Sequence, residues 1–91
     1  MCVIVRSHMP TFLIHYDLPQ KPDVDYPELI PKLTRLGAKR LTATAWALRT
    51  GMSVTDIRDE IQICALPGDR FVIAQITEWR TIGTYARIDE V

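Results

Sequence analysis

Two side chains near the start of the chain have types and a spacing that chemistry can use. His15 and Asp17 stand two positions apart in the segment TFLIHYD, residues 11–17. This segment is rich in β-branched, aromatic and apolar residues and is halted by Leu18 and Pro19, so it predicts a β-strand. Alternate residues share a strand face, which places the imidazole and the carboxylate side by side. The plain interpretation is that Asp17 closes an Asx-type turn and that His15 packs at a subunit contact.

A second group of candidate residues is basic. Lys32, Arg35 and Lys39 have spacings that predict one helical face, and Arg40 follows directly. Such a stripe can contact the phosphates of a nucleic acid or an acidic partner. A solvated helix face is the alternative interpretation of the same spacing.

Composition narrows the classes of function. The chain has 91 residues, with eleven basic and eleven acidic ones, so its formal net charge is zero. A protein that captures nucleic acid by overall charge carries a surplus of Lys and Arg, so any basic patch here has to be local. Cys2 and Cys64 are isolated, which argues against structural zinc and predicts a reduced, cytoplasmic setting. No apolar stretch is long enough to span a bilayer, and we expect no membrane partner.

The middle of the chain predicts a helix followed by strands. Asp25 and Glu28 have the spacing of a capping box, which predicts a helix that runs to about Leu36. Pro31 removes one first-turn hydrogen bond and is expected to bend this helix. Residues 39–50 predict two strands, or one bent strand, with a reversal near residues 42–44.

The second half of the chain predicts another helix and two strands. Ser53 is a good N-cap, and apolar residues recur at helical spacing from there to Cys64, which is expected to be a buried thiol. A turn at residues 67–69 leads into a strand at residues 70–76. Residues 84–88 are expected to form a short last strand.

The predicted order β-α-β-β-α-β, with a C-terminal segment, favours an α+β fold of ferredoxin-like architecture. Two helices cannot cover both faces of a four-stranded antiparallel sheet, so we expect them on one face. The other face must meet water or a partner. A homodimer built through that face or through the sheet edges is therefore expected.

Four segments together resemble the small CRISPR-associated spacer-acquisition nuclease-like family, the second universal Cas protein. They also resemble its compact relatives described as SinR-like or virulence-associated protein D-like. The segments lie in order between Met9 and Ile76, and they read FLIHYDL, GAKR, TATAWAL and PGDRFVIAQI.

This resemblance implies a ferredoxin-like protomer that dimerises through its sheets, often with the C-terminal strand added to the partner's sheet. It also implies that Asp17 lies near the two-fold axis, where the paired carboxylates hold Mg²⁺ and assist phosphodiester hydrolysis of RNA or DNA. Mg²⁺ binds one or two carboxylates together with waters and phosphate oxygens. His15, on the same face, would position water or bind phosphate.

A different class of function is also open. The neutral charge, the sparse polar chemistry and the many apolar strand residues favour a non-catalytic dimeric adaptor, such as a toxin–antitoxin or defence-locus binding protein. Trp79 is then a candidate anchor at the subunit contact. A small-ligand regulatory domain is a third option, because such folds host many unrelated functions.

We have separate expectations for the first eight residues and for the rest of the chain. Residues 9–91 are expected to form a single domain. Residues 6–9, Arg-Ser-His-Met, resemble the end of an expression tag, so residues 1–8 are read as a non-native leader. The apolar residues 3–5 would alternatively pair as an edge strand.

Overall fold

The computed structural model describes residues 9–18 and 27–88, and these contain four strands and two helices. In chain order they are β1 (Thr11–Asp17), α1 (Leu29–Leu36), β2 (Lys39–Arg40), β3 (Ala45–Arg49), α2 (Val54–Gln62) and β4 (Arg70–Ile76). The strands form one antiparallel sheet in the order β2-β3-β1-β4. The predicted α+β class is confirmed, and the arrangement is compatible with a small ferredoxin-like fold. Residues 1–8, including the candidate leader and edge strand, lie outside the described residues.

Four of the predicted strands and the reversal between β2 and β3 are confirmed. β1 and β4 have the predicted bounds, and residues 39–50 form two strands with the chain reversal at residues 42–44. The amides of Leu41 and Thr42 both donate to the Ala45 carbonyl, at 2.8 and 3.2 Å. These two bonds close the reversal without the glycine or asparagine that tight hairpin turns usually need.

The start of α1 differs from the prediction. Glu28 is the N-cap residue and makes no side-chain capping bond, so the capping box is wrong; Asp25 lies outside the described residues. Pro31 is the third residue of α1, which continues through it to Leu36, and the bend expected there stays a prediction. First-turn amides have no partner within a helix, so a proline there removes no helical hydrogen bond. Gly37 ends α1 in the left-handed conformation, with φ 97°, as the sequence indicated.

The N-terminus of α2 is confirmed, and its C-terminus is not. The Ser53 hydroxyl accepts from the Asp56 amide at 3.1 Å, and the Asp56 carboxylate accepts from the Ser53 amide. This reciprocal pair satisfies two amides at the start of the helix. The helix ends at Gln62, so Cys64 lies beyond it, half-buried against the core rather than on the helical stripe.

Both helices pack on the same face of the sheet. The largest cluster of buried side chains combines alternate residues of β1 and β3 with the inward residues of α1 and α2. Its fully or nearly buried members are Phe12, Ile14, Tyr16, Leu29, Leu33, Trp46, Leu48, Ile57 and Ile61. We call the side of the sheet that the two helices cover the helix face.

The opposite face is partly covered by the chain itself, which corrects the expectation that it is open. Residues 77–88, here called the C-terminal segment, cross this face, and Ile88 packs with Leu41 and Ala47 in a second buried cluster. The amide of Tyr85 donates to the Leu41 carbonyl at 2.8 Å beside β2. The expected last strand at residues 84–88 is wrong, because this segment is irregular and lies over the sheet. No helix in the described ranges is long and apolar enough to cross a membrane.

Truncating Ile88 is expected to destabilise the fold, whereas truncating Ile82 is not. Ile88 is 4% exposed and Ile82 is 97% exposed, and both belong to the C-terminal segment. Ile88→Ala leaves a cavity in the second cluster and should lower the free energy of unfolding by about 2 kcal/mol or more. Ile82→Ala should change it by less than about 0.5 kcal/mol. Urea unfolding followed by circular dichroism measures both, and equal effects would show that the segment does not dock on the sheet.

Candidate functional site

A polar network fixes the end of β1 that carries Asp17. The Trp46 indole N–H donates to the Tyr16 hydroxyl at 3.0 Å, and that hydroxyl lies 3.4 Å from the Ala43 carbonyl oxygen. The Tyr16 amide donates to the Thr44 carbonyl at 3.0 Å. The Arg40 guanidinium lies 5.4 Å from the centre of the Trp46 ring and donates to Ala43 at 2.9 Å. The residue before Asp17 is therefore held by both its side chain and its backbone.

Asp17 is exposed and lies directly opposite Arg70 in the sheet. The two residues pair at the ends of β1 and β4, with 3.6 Å between Asp17 Oδ2 and Arg70 Nη1. Their side chains are 71% and 81% exposed. Ion pairs this exposed contribute little to stability, so the carboxylate remains accessible to a ligand. Arg70 was not among the residues that the sequence indicated as candidates.

His15 shares the face of Asp17 and is also exposed. It lies opposite Ala45 on one side and Val72 on the other, and the Val72 side chain is 57% exposed. Leu13, on the same face, packs in the second cluster, beneath the C-terminal segment. The prediction that His15 and Asp17 share one face of β1 therefore agrees with the structure, and both side chains are exposed at the end of the strand.

The described residues of one chain supply too few ligands at this position for a closed metal site. Within residues 9–18 and 27–88, no group of three or more His, Cys, Asp and Glu side chains could hold a metal ion. Asp17 offers a single carboxylate, and it pairs with the cationic Arg70. Mg²⁺ accepts one or two carboxylates with several waters. Among the described residues, the donor set fits Mg²⁺ if a second copy brings its own Asp17 close to the first.

The predicted basic stripe does not form a single face. Lys32 lies in α1, where its Nζ pairs with Glu60 Oε1 of α2 at 3.0 Å. Its side chain is largely buried and its charge links the two helices. Arg35 is exposed in the last turn of α1, where a positive charge interacts favourably with the helix C-terminus.

The other two basic candidates lie in β2, beyond the end of α1, on opposite sides of the sheet. Lys39 pairs with Ala47, and Arg40 pairs with Trp46. Adjacent strand residues point to opposite faces, so Arg40 lies on the helix face and Lys39 on the other. The helical spacing was misleading because Gly37 ends the helix before Lys39. The prediction that these residues share one helical face is thus wrong, and phosphate contact by any of them stays a prediction.

An apolar groove lies between α2 and β4. One part, of about 290 Å³, is lined by Ile61, Leu66, Phe71 and Ile73 with neighbouring polar residues. An adjoining part, also about 290 Å³, is lined by Val54 and Thr55 with Arg58, Phe71 and Ile73. The sequence placed these residues in a helix and a strand but gave no signal that the space between them stays open.

Cys64 behaves as a core residue. It packs against the main cluster and is half-buried, and this burial raises the pKa of its thiol, while the nearby charge of Lys32 lowers it by a smaller amount. A raised pKa reduces the thiolate fraction at neutral pH, and the thiolate is the reactive form. No chemistry is assigned to Cys64.

Comparisons of the chain with protein-family models, with curated proteins and with solved structures found no match. The resemblance to the CRISPR-associated nuclease-like family therefore stays a prediction from the four motifs. Within the described residues, the exposed acid at the end of β1, the groove beside β4 and the exposed apolar side chains of the C-terminal segment bear on function.

Removing the Tyr16 hydroxyl is expected to destabilise the fold, whereas the same change at Tyr85 is not. Tyr16→Phe leaves the buried Trp46 N–H without its acceptor, which should cost about 1–3 kcal/mol of unfolding free energy. Tyr85 is 72% exposed, so Tyr85→Phe is the matched control and should stay within about 0.5 kcal/mol of the wild type. Urea unfolding measures both changes. Equal stability of the two variants would show that the network does not anchor the end of β1.

Proposed function

We propose that this protein is a non-catalytic dimeric adaptor that joins a second copy of itself and presents an apolar surface to a protein partner. The carrying observation is the set of large apolar side chains that stay exposed in two places. One place is the groove between α2 and β4, with Val54 and Leu66; the other is the C-terminal segment, with Ile82 and Tyr85. Exposed apolar patches of this kind mark interaction sites.

The two patches have different properties. The groove runs beside an outer strand of the sheet, and such strands accept a further strand through backbone hydrogen bonds. The C-terminal segment is irregular, so its exposed side chains offer contact area without a strand. We assign the groove to self-association and the C-terminal segment to a protein partner of complementary apolar character.

The fold and the setting belong to the same proposal. A ferredoxin-like protomer agrees with the antiparallel sheet and with the two helices on one face. The free thiol of Cys64 is compatible with a reducing cytoplasm. The neutral net charge fits a protein partner better than a nucleic acid held by overall charge.

A second candidate function is a divalent-metal-dependent endonuclease that acts on RNA or DNA through Asp17. The observation in its favour is the open end of the sheet, where Asp17, His15 and Arg70 are all exposed. Two Asp17 carboxylates from a face-to-face dimer would hold Mg²⁺, which stabilises developing charge on a phosphate or activates a water. Asp17 would be the ligand, His15 would orient water, and Arg70 would contact phosphate. We rank it second because the C-terminal segment already covers part of the face that such a dimer needs.

Hydrolysis assays separate the two functions. RNA and DNA substrates are incubated with Mg²⁺ or Mn²⁺ and with the wild type, Asp17→Asn or Asp59→Asn. Asp59 is the matched control, because it is also an exposed acid paired with an arginine. The adaptor proposal expects the same result from all three proteins. Hydrolysis lost in Asp17→Asn alone would reject the adaptor and establish the nuclease.

Partner capture tests the adaptor directly. Wild-type protein used as bait is expected to retain a specific protein that Ile82→Asp no longer retains, because a charge in an apolar contact must be desolvated. Asp59→Asn serves again as the control and should retain it. Quantitative mass spectrometry of the three eluates gives the comparison. Equal recovery with Ile82→Asp would exclude the C-terminal segment as the docking surface.

A further inference from the structure

β4 is the outer strand of the described sheet, and its pairing with β1 is regular. The register runs from Thr11 opposite Ile76 to Asp17 opposite Arg70 without a bulge. Natural outer strands are usually protected by bulges, prolines or charged side chains. β4 has no proline, and its one charged residue, Arg70, stands at the end of the strand. A regular, unprotected outer strand of seven residues is a template for a further strand.

The backbone groups that point outward can be derived from the pairing of β1. The Tyr16 amide bonds to Thr44, so the even-numbered residues of β1 direct their backbone groups towards β3. The odd-numbered residues then face β4, and their partners there are the even-numbered residues 70–76. Phe71, Ile73 and Gln75 therefore direct their N–H and C=O groups away from the sheet.

We propose that a second copy of this chain binds along this edge, with β4 antiparallel to β4 of the partner and the two-fold axis at Ile73. This inference rests on the self-association assigned to the groove in the proposed function. With Ile73 opposite Ile73 of the partner subunit, Phe71 lies opposite the partner's Gln75, and Gln75 lies opposite the partner's Phe71. All three outward residues thereby find outward partners, and each of the three pairs exchanges two hydrogen bonds. The strand is complementary to itself in this register.

The side chains also match in this register. Phe71 and Ile73 line the groove beside α2, so the partner's copies of the same residues close it from the other side. On the opposite face, Val72 lies across from the partner's Ala74, a small residue that leaves room for it. The contact between the two β4 strands buries part of the Val72 side chain, which is 57% exposed in one chain, and also closes the groove. A second copy is thus the occupant that satisfies backbone and side chains together.

This dimer keeps the two Asp17 side chains apart. Asp17 lies level with Arg70, three residues from the axis along the strand, and one strand further from it. With about 3.3 Å per residue and about 4.8 Å between strands, the two Asp17 positions are roughly 24 Å apart. They cannot share one metal ion. The edge dimer therefore supports the adaptor and argues against the nuclease.

A charge exchange at the axis tests the register. Ile73→Glu and Ile73→Lys each place two like charges opposite one another, so each variant alone should raise the dimer dissociation constant at least about tenfold. An equal mixture of the two should recover a dimer of mixed composition, because a residue on the axis meets only its own copy. Sedimentation velocity and native mass spectrometry measure the mass and the composition.

Controls distinguish this geometry from others. Gln75 is exposed and lies far from its own copy, so a mixture of Gln75→Glu and Gln75→Lys should show no gain over either variant alone. If the Ile73 variants fail to fold, Gln75→Pro replaces them. It removes an outward amide that β1 does not use, so it should weaken the dimer at least about tenfold and leave the circular dichroism of the monomer unchanged.

The outcomes separate failure of the inference from failure of the proposed function. A wild-type chain that stays monomeric overturns the edge dimer and leaves the groove to an extended segment of another protein. A dimer that forms normally with Gln75→Pro, or that is not restored by mixing the folded Ile73 variants, also overturns it. Hydrolysis that depends on Asp17 overturns the adaptor itself, and a monomeric wild-type chain removes self-association from the proposed function.

Discussion

Burial of β1 on both of its faces is the constraint on which the rest of the structure depends. β1 is a central strand, with β3 on one side and β4 on the other. Its even-numbered side chains enter the core under the two helices, and Leu13 is covered by the C-terminal segment. On that face, only the end of the strand is left uncovered, so His15 and Asp17 are exposed. The C-terminal segment therefore determines where the candidate site lies, because the residues that it does not cover stay accessible.

The same constraint moves the expected subunit contact from the face to the edge. A sheet with one uncovered apolar face is stabilised most when that face packs on another apolar face, because the stabilisation grows with the apolar area removed from water. Here Ile88 and Trp79 already pack on part of that face within one chain. Within residues 9–18 and 27–88, the outer side of β4 and the groove beside α2 stay uncovered. In the proposed edge dimer, the two copies of Asp17 lie too far apart to share one metal ion, which favours the adaptor over the nuclease.

Much of the local structure follows from residue patterns, and the failures have physical causes. The bounds of β1 and β4 were predictable because Leu18-Pro19 and the turn at residues 67–69 punctuate runs of β-forming residues. With those bounds, antiparallel pairing of the first and last strands would have placed Arg70 opposite Asp17. The start of α1 was misjudged because the spacing of Asp25 and Glu28 imitates a capping box. The basic stripe failed because helical spacing was continued past Gly37.

Tertiary contacts account for what the sequence did not show. Residues 84–88 alternate like a strand, yet they are held by packing on Ala47 and by one backbone bond to Leu41. Period-two patterns indicate alternate burial, and a segment that crosses a sheet can satisfy them without pairing. The groove beside β4 depends on the distance between two packed elements, which no local pattern encodes. The interaction surfaces were thus less predictable than the elements that form them.

Hydrogen exchange of the β4 amides, measured by NMR at several protein concentrations, tests the central claim most directly. The Val72 and Ala74 amides bond to β1 and should be protected at every concentration. The Phe71, Ile73 and Gln75 amides should exchange fast in dilute protein and become protected as the concentration rises. Fast exchange of these three amides at all concentrations, in a protein that has dimerised, would contradict pairing through β4.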